Sequence, residues 1–251
     1  MPEVDFDKYK KRGSMHWQEM TSRSIRKFNS YQQARYDWII KELGNIKGKR
    51  VLDIGCGDGA LSYLLAKEGA VVVGIDNEAL GIQFAQENVK SESDSSKLDC
   101  EFVQASAYEL PMKDESFDAV VSSELIEHLD KPGQMLAEAK RVLKPGGKAV
   151  ITTPHRLTET PGDIYHVHEF FPIELQDLSK KYFSEVEVKL THHVFWYGLF
   201  TYAFRRFKNR QFGMWFVNAL TLWFKKNPFL IEYPKPTKRD IFTQLIVISK
   251  K

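Results

Sequence analysis

The chain has 251 residues, 43% hydrophobic and 27% charged, which indicates one folded α/β domain with an insertion rather than two equal domains. The net charge of +3 is too small to indicate nucleic-acid binding by itself, and no apolar run is long enough to cross a bilayer. Two cysteines exclude a disulfide framework, and the charged N-terminus lacks an apolar signal core, so we expect a cytoplasmic protein.

The N-terminal part of the chain is predicted to be helical. Residues 1–30 are polar and basic with scattered aromatic side chains. Residues 31–43 repeat apolar side chains at helical spacing, and Gly44 and Gly48 then interrupt the chain. Arg35 lies on this predicted helix and, from its surroundings alone, is interpreted as a solvated surface residue.

A glycine-rich turn follows the first predicted strand. Residues 50–54 are an apolar run, residues 55–59 (GCGDG) form the turn, and a second apolar run ends at Asp76. Asp76 lies 21 residues after Gly55 (76 − 55), the spacing of a nucleotide-type cofactor site in which the acid binds ribose hydroxyls. The glycines let the backbone approach a ligand closely. This pattern alone fits either a dinucleotide or S-adenosylmethionine (SAM).

Strands and helices continue to alternate after this unit. Helices are predicted at residues 59–68, 78–90, 131–143 and 172–182, and strands at 71–75, 100–104, 116–121, 148–152, 183–190 and 240–249. The last two strands are expected to add an antiparallel edge. The sequence therefore predicts a Rossmann-like, seven-stranded, mostly parallel α/β sheet with helices on both faces and an aromatic, basic helical insertion before the last strand.

The insertion at residues 192–238 has an unusual composition. Residues 188–231 contain no Asp or Glu, whereas twelve aromatic residues lie between positions 195 and 224. Basic side chains accompany them at Arg205, Arg206, Lys208, Arg210, Lys225 and Lys226. This pattern fits peripheral membrane contact through residues 195–229 or closure over an apolar substrate, and it fits a helical lid packed on the core or a dimer contact equally well. No RNA-binding module is recognised, so no nucleic-acid partner is expected.

Three motifs, in this order, resemble those of class I SAM-dependent methyltransferases: residues 51–57 (VLDIGCG), 117–124 (FDAVVSSE) and 141–147 (RVLKPGG). The likeness covers residues 35–153. Residues 124–128 (ELIEH) and the position of Arg35 more narrowly resemble the O-methyltransferases of ubiquinone biosynthesis. The resemblance implies SAM as the cofactor and a hydroxyl of a small hydrophobic or lipid-linked, quinone-like acceptor. The alternatives are methylation of a glycan or other polar metabolite, and a non-catalytic, membrane-associated SAM-binding protein.

Carried over by position, the resemblance also implies the contacts of SAM. Arg35 would bind the methionine carboxylate, Asp76 the ribose hydroxyls, and Asp53 would order the glycine turn. Gly55, Cys56, Gly57 and Ser123 would line the methionine part, and Asn77, Ser106 and Ala107 the adenine. Ser106 departs from the family pattern, which usually has an acid at this place.

The chemistry is predicted to lie after the fourth and fifth strands. A hydroxyl acceptor must lose its proton, so His128, His166 and His168 are candidate general bases, with loop histidines bonded to the backbone as the alternative. His166 and His168 would share one side of an extended segment.

A metal site is a further hypothesis. Glu124, Glu127 and His128 would share one face of a helix and are candidate ligands for Mg²⁺, with solvated acids and a packed histidine as the alternative.

These interpretations divide the chain into four parts. Residues 1–45 form a helical segment that covers the cofactor site, and residues 46–191 form the SAM-binding core. Residues 192–238 are the lid or membrane-contact insertion, and residues 239–251 supply the last strand of the core sheet.

Overall fold

The computed structural model describes residues 8–93, 95–202, 212–233, 236, 237 and 239–251. The strands are β1 (Arg50–Ile54), β2 (Val71–Asp76), β3 (Asp99–Gln104), β4 (Phe117–Ser123), β5 (Leu143–Pro154), β6 (Glu185–His193) and β7 (Phe242–Lys250). The helices are α1 (Lys8–Arg12), α2 (Met15–Thr21), α3 (Ser30–Leu43), α4 (Ala60–Lys67), α5 (Ala79–Ser91), α6 (Pro132–Val142), α7 (Pro172–Lys180), α8 (Val194–Tyr202) and α9 (Phe212–Phe224).

The seven strands form one sheet in the order β3-β2-β1-β4-β5-β7-β6. The first five strands in this order run parallel, and β7 runs antiparallel to β5 and β6. The predicted Rossmann-like, mostly parallel sheet is therefore confirmed. The chain moves outward from β1 to β3 and then crosses back to β4, so a crevice opens where the carboxyl ends of β1 and β4 diverge.

Side chains alternate between the two faces of the sheet along each strand, and helices cover both faces. On one face Val51 and Val121 pack in a cluster with Ile39 of α3 and Leu65 of α4. On the other face Leu52 and Val120 pack in a second cluster with Met135 and Leu136 of α6. Near-continuous apolar strands are typical of parallel sheets covered on both sides.

Most strands differ from their predicted limits by a residue or two, and β5 and β6 differ the most. β5 begins at Leu143, directly after α6, and includes residues 144–147, which we had expected to be a turn. Gly146 and Gly147 pair there with Lys251 through backbone hydrogen bonds, which draws the segment into the sheet edge. β6 extends to His193, and His192 within it adopts a positive φ of 59°. Thr191 and His193 pair with Gln244 and Phe242 of β7, so the register is continuous across His192.

The insertion forms α8 and α9 between β6 and β7. Val217 of α9 packs with Ala34 of α3 and with Phe229, in a small cluster of its own. Among the described residues, no helix combines the length and apolar character needed to cross a membrane. The basic residues Arg205, Arg206, Lys208 and Arg210 lie outside the described residues.

Candidate active site

The glycine turn lies at the carboxyl end of β1. Gly55, Gly57 and Gly59 adopt positive φ angles of 77°, 55° and 83°, which L side chains rarely adopt. The Gly57 N–H donates to Asp76 Oδ2 at 2.9 Å, and the Glu78 N–H donates to Asp76 Oδ1 at 2.9 Å. The acid at the end of β2 is therefore held against the turn.

Asp53 lies beneath this turn and is buried. Its Oδ2 accepts a 2.6 Å hydrogen bond from the Ser62 hydroxyl, which ties β1 to α4. Burial raises the pKa of Asp53 to about 7, against the opposing effect of the Ser62 bond. Asp53 therefore connects β1 to α4 directly below the turn. This position supports the prediction that Asp53 orders the turn.

Tyr9 and Trp17, which lie on the two N-terminal helices, contact the glycine turn. The sequence did not predict a role for either residue. Tyr9 of α1 lies directly over Gly57 and Gly81, so that a Cβ added to either glycine would meet its ring or hydroxyl. Burial, followed by the nearby Asp76 and Asp58, raises the pKa of Tyr9 far above its ordinary value. Asp58 Oδ2 accepts from the Trp17 N–H at 3.0 Å, which anchors α2 to the turn. The only sequence signal for Tyr9 was its aromatic character in a polar segment.

Arg35 and Glu124 meet at the carboxyl end of β4. Arg35 Nη1 lies 2.5 Å from Glu124 Oε2, and both side chains are largely buried. Glu124 adopts a positive φ of 56°, a strained conformation that is found disproportionately at functional sites. Gln244 of β7 donates to Glu124 Oε2 at 3.3 Å and to the Tyr31 hydroxyl at 3.0 Å. Arg35 is therefore a buried, paired residue and not the solvated one that its surroundings in the sequence indicated.

Several polar atoms of this group lack a partner within the described part of the chain. They are Arg35 Nε, Glu124 Oε1, Glu127 Oε1 and Gln244 Oε1, all buried. Buried polar groups in folded proteins are normally hydrogen-bonded. Donors and acceptors left over around one crevice therefore indicate a place for polar groups of a ligand.

Glu127 and two histidines form a second group beside this pair. Glu127 is fully buried and its Oε2 accepts from the Thr153 hydroxyl at 2.9 Å. Burial, and then the charge of Glu124, raises the pKa of Glu127 well above its ordinary value. The rings of His128 and His166 lie 4.9 Å apart between centroids. His166 Nδ1 lies 2.6 Å from the buried Glu169 Oε1.

The prediction that Glu124, Glu127 and His128 share one face of a helix is wrong. Only Ile126–His128 form a 3-10 turn, and Glu124 precedes it in a left-handed conformation that directs its side chain to Arg35. Glu127 and His128 instead group with His166, and one ligand atom from each lies within 4.8 Å of the others.

The expectation that His166 and His168 share one side of an extended segment is also wrong. Residues 163–169 bend over the 3-10 turn, where the N–H groups of Val167 and His168 donate to the Glu127 carbonyl. His168 is 45% exposed at its side chain, and its Nε2 lies 3.7 Å from Glu174 of α7. His128 and His166 are therefore brought together, and His168 faces another partner.

The remaining predicted site residues lie along the same edge of the sheet. Asn77 follows β2, where its carbonyl accepts from Gln104 at 3.0 Å, and buried Cys56 lies within the glycine turn. After β3, the Ser106 hydroxyl accepts from the Tyr108 N–H, and Ala107 packs against the core. Ser123 ends β4 and accepts from the Thr152 hydroxyl at 3.1 Å. The assignment of these residues to SAM stays a prediction.

Comparison with known proteins identifies the central part of the chain. Residues 52–151 match the family model described as "Methyltransferase domain". The ubiquinone biosynthesis O-methyltransferase of Pasteurella multocida is 30% identical over 162 residues, 61% of this chain and 64% of that protein. The protein of the same name from Coxiella burnetii is 36% identical over 118 residues, 47% and 48% of the two chains. The chain thus spans less than two thirds of the curated relatives it matches.

Solved structures share the fold. Phosphoethanolamine N-methyltransferase 2 of Haemonchus contortus, solved with SAM, superposes with a TM-score of 0.66 at 21% identity, over 99% of this chain and 59% of that one. A chain from the complex of the Haloferax volcanii Trm112 activator with a putative methyltransferase gives 0.63 at 17% identity, over 97% and 92%. At these identities the likeness concerns the fold alone.

Proposed function

We propose, on the premise that residues 52–151 form a methyltransferase domain within a class I methyltransferase fold, that this protein transfers a methyl group from SAM to a hydroxyl of a small hydrophobic or lipid-linked acceptor. The observation that carries the proposal is the buried Arg35–Glu124 pair with its unpartnered atoms. This pair lies beside a glycine turn in which the Gly57 N–H donates a hydrogen bond to Asp76.

The residues at the crevice fit SAM chemically. The Asp76 carboxylate suits ribose hydroxyls, since a carboxylate accepts hydrogen bonds through two oxygens. Arg35 Nε suits the methionine carboxylate, and Glu124 Oε1 suits the methionine ammonium, because each matches an opposite charge. SAM, when bound, supplies a methyl group on a positively charged sulfur, so the protein mainly orients the reactants and excludes water.

Removal of the acceptor proton is assigned to His166. The carboxylate of Glu169 lies 2.6 Å from Nδ1 of this imidazole, which fixes the orientation of the ring. His166 Nε2 would take the hydroxyl proton as the acceptor oxygen bonds to the methyl carbon and the bond from that carbon to the sulfur of SAM breaks, which leaves S-adenosylhomocysteine. His128 and the buried Glu127 form the adjoining wall, and the half-exposed His168 has no part in the step.

The clustered donors do not fit Mg²⁺. This ion prefers six oxygen ligands, whereas Glu127, His128 and His166 offer one carboxylate and two imidazoles. Glu124, the second predicted carboxylate ligand, is paired with Arg35. We therefore derive no step through Mg²⁺.

The proposal is tested by calorimetry with SAM, followed by methyl transfer into a cell extract. SAM should bind, and Asp76→Ala should weaken binding at least about tenfold, since a hydrogen bond to a charged group contributes roughly 1.5–3 kcal/mol. The matched control is Asp99→Ala, an exposed acid at the opposite end of the neighbouring strand β3.

Label from the methyl group of SAM should then enter the fraction of the extract that partitions into organic solvent. Label in the aqueous fraction would instead favour the polar or glycan acceptor. Absence of SAM binding, or binding of a nicotinamide dinucleotide in its place, would refute the proposal.

A further inference from the structure

Helix α9 has its polar side chains inside and its aromatic side chains outside. Asn218 is fully buried, and its Oδ1 accepts from the Ser30 hydroxyl at 2.6 Å. On the opposite face Phe212, Phe216 and Trp223 are 56%, 46% and 66% exposed. These three positions, spaced by four and seven residues, form one stripe along the helix. A surface helix of a globular protein normally has the reverse arrangement.

The orientation of α9 is fixed by its polar side. The Asn218 amide donates to the carbonyls of Ile25 and Phe28 at 2.8 and 2.5 Å, so rotation of the helix would break several buried hydrogen bonds. Ser30 begins α3, the helix that carries Arg35, so α9 is joined to the framework of the candidate active site. The aromatic stripe is therefore a fixed surface.

Two further aromatic side chains of α8 and α9 are exposed. Phe224 at the end of α9 is 64% exposed, and Phe195 near the start of α8 is 62% exposed. Trp196, Tyr197, Leu199 and Phe200 of α8 pack against the cluster of Ala34, Val217 and Phe229. We call Phe195, Phe212, Phe216, Trp223 and Phe224 the aromatic surface. An exposed patch of this kind marks contact with a partner or a membrane.

Basic side chains lie beside the aromatic surface, and two of them, Arg23 and Lys225, line a pocket together with the acids Asp37, Glu68 and Glu92. Exposed Lys225 and Lys226 follow α9 directly. Arg23, Arg26 and Lys27 lie in the segment that Asn218 binds, and the Arg26 guanidinium lies 5.0 Å from the centre of the Trp215 ring. Residues 188–231 contain no acidic residue. An occupant of this surface must therefore combine an apolar layer with negative charge.

A second copy of the chain does not meet this requirement. A two-fold symmetric contact through the aromatic surface would place the same basic side chains opposite one another, and like charges repel. An anionic bilayer meets it, because acyl chains receive aromatic rings while phosphate headgroups attract Lys and Arg. The 13 residues of α9 span about 20 Å, less than the roughly 30 Å hydrocarbon core, so the helix lies along the interface.

We propose that the aromatic surface, with its rim of Arg23, Arg26, Lys27, Lys225 and Lys226, binds the surface of an anionic lipid bilayer. The helix enters with its aromatic stripe toward the acyl chains, and the basic rim lies at the headgroups. This binding is independent of methyl transfer, and it also holds the crevice close to acceptors dissolved in the membrane.

The test is co-sedimentation of the full chain with phosphatidylcholine vesicles, with and without phosphatidylglycerol. Binding is expected only to the anionic vesicles and should weaken as salt is raised. Changing Phe212, Phe216 and Trp223 together to Ser should reduce the partition constant at least about tenfold, because it removes apolar area from the bilayer. The matched control is Ile173→Ser, which changes a 60% exposed apolar residue on α7 and should have no effect.

The basic rim is tested in the same assay. Lys225→Gln with Lys226→Gln should weaken binding about tenfold or more, at about 1 kcal/mol per basic residue near the surface. Lys180→Gln with Lys181→Gln, an adjacent exposed pair at the end of α7, is the control. Brominated lipid should quench tryptophan fluorescence in the wild type, and Trp223→Phe should remove most of that quenching while preserving binding.

Equal vesicle binding by the wild type and the triple Ser variant would overturn the proposal, as would no binding to anionic vesicles. A wild-type dimer that the triple variant converts to a monomer would assign the surface to a second copy. SAM binding is measured on the same variants and should be unchanged, so failure of lipid binding is distinguishable from failure of the proposed enzyme function.

Discussion

At the scale of single residues, the candidate site is a set of buried charges that compensate one another only in part. Arg35 and Glu124 are paired, while burial and the charge of Glu124 raise the pKa of Glu127 nearby. Each of these groups therefore depends on the charge state of its neighbours. Removing one charge should consequently have a larger effect than removing a pair.

Glu124→Leu should leave Arg35 buried without its counter-charge and lower the free energy of unfolding by about 3 kcal/mol. The double variant Arg35→Met, Glu124→Leu should recover most of this loss, because both desolvated charges are then absent. Urea unfolding measures both. Glu185→Leu, which breaks an exposed pair with Lys250, is the control and should change stability by less than about 1 kcal/mol. A double variant no more stable than Glu124→Leu would contradict the interpretation.

His166→Asn should lower kcat about a hundredfold or more, because it removes the group that takes the acceptor proton. Affinity for SAM should remain unchanged in calorimetry. His168→Asn serves as the comparison and should keep most of the activity, since His168 faces Glu174 and solvent. Equal losses in the two variants would show that His166 has no special role.

Treatment with a chelator should leave the rate of methyl transfer unchanged within about twofold, because the proposed step uses no metal ion. The reason is that Glu124 is paired with Arg35 and that the remaining donors suit Mg²⁺ poorly. Activity is measured before and after dialysis against the chelator. A loss that added Mg²⁺ reverses would contradict the metal-free step.

At the scale of elements, side chains beneath and above the glycine turn join it to the surrounding helices. Asp53 binds Ser62 of α4 from below, and Asp58 binds α2 through the Trp17 N–H. Tyr9 of α1 lies over Gly57. The prediction that residues 1–45 cover the cofactor site stays a prediction, and the positions of Tyr9, Trp17 and Arg35 support it.

The buried Asp53 should make stability fall as pH rises from about 4 to about 7. Its pKa is about 7 in the folded chain, against an ordinary value of 3.8, so the unfolded chain loses this proton at lower pH than the folded one. Within that range the folded state binds more protons, and each pH unit lowers the free energy of unfolding by about 1.4 kcal/mol.

Asp53→Asn should remove this contribution, and urea unfolding at a series of pH values would show a flatter dependence between pH 4 and 7. Asp99→Asn, at an exposed acid, should leave the dependence of the wild type in place. Parallel curves for Asp53→Asn and the wild type would mean that the carboxyl is ionised in the folded chain.

At the scale of the whole molecule, the sheet order places functional side chains from distant segments at one edge. β1 and β4 are neighbours although 62 residues separate their ends (Ile54 and Phe117 bound 55–116), and β7 inserts between β5 and β6. Arg35 of α3, Glu124 after β4 and Gln244 of β7 consequently meet in one crevice. The insertion, held by Asn218, adds its outward aromatic surface to the same framework.

The sequence by itself determined the elements and the cofactor-type turn. Apolar runs with short turns, glycines at residues 55–59 and an acid 21 residues after Gly55 (76 − 55) are local signals, because backbone sterics and side-chain periodicity act over a few residues. The mostly parallel sheet followed from the alternation of strands and helices.

Only the tertiary structure decided which side chains meet. The left-handed conformations of Glu124 and His192 and the bend of residues 163–169 each redirect side chains that a regular helix or strand would place elsewhere. The pairing of Arg35 with Glu124 and the outward face of α9 depend on contacts between segments far apart in the chain. Periodicity carries no information on such contacts, because the element that packs opposite determines burial and pairing. The local sequence does not specify which element that is.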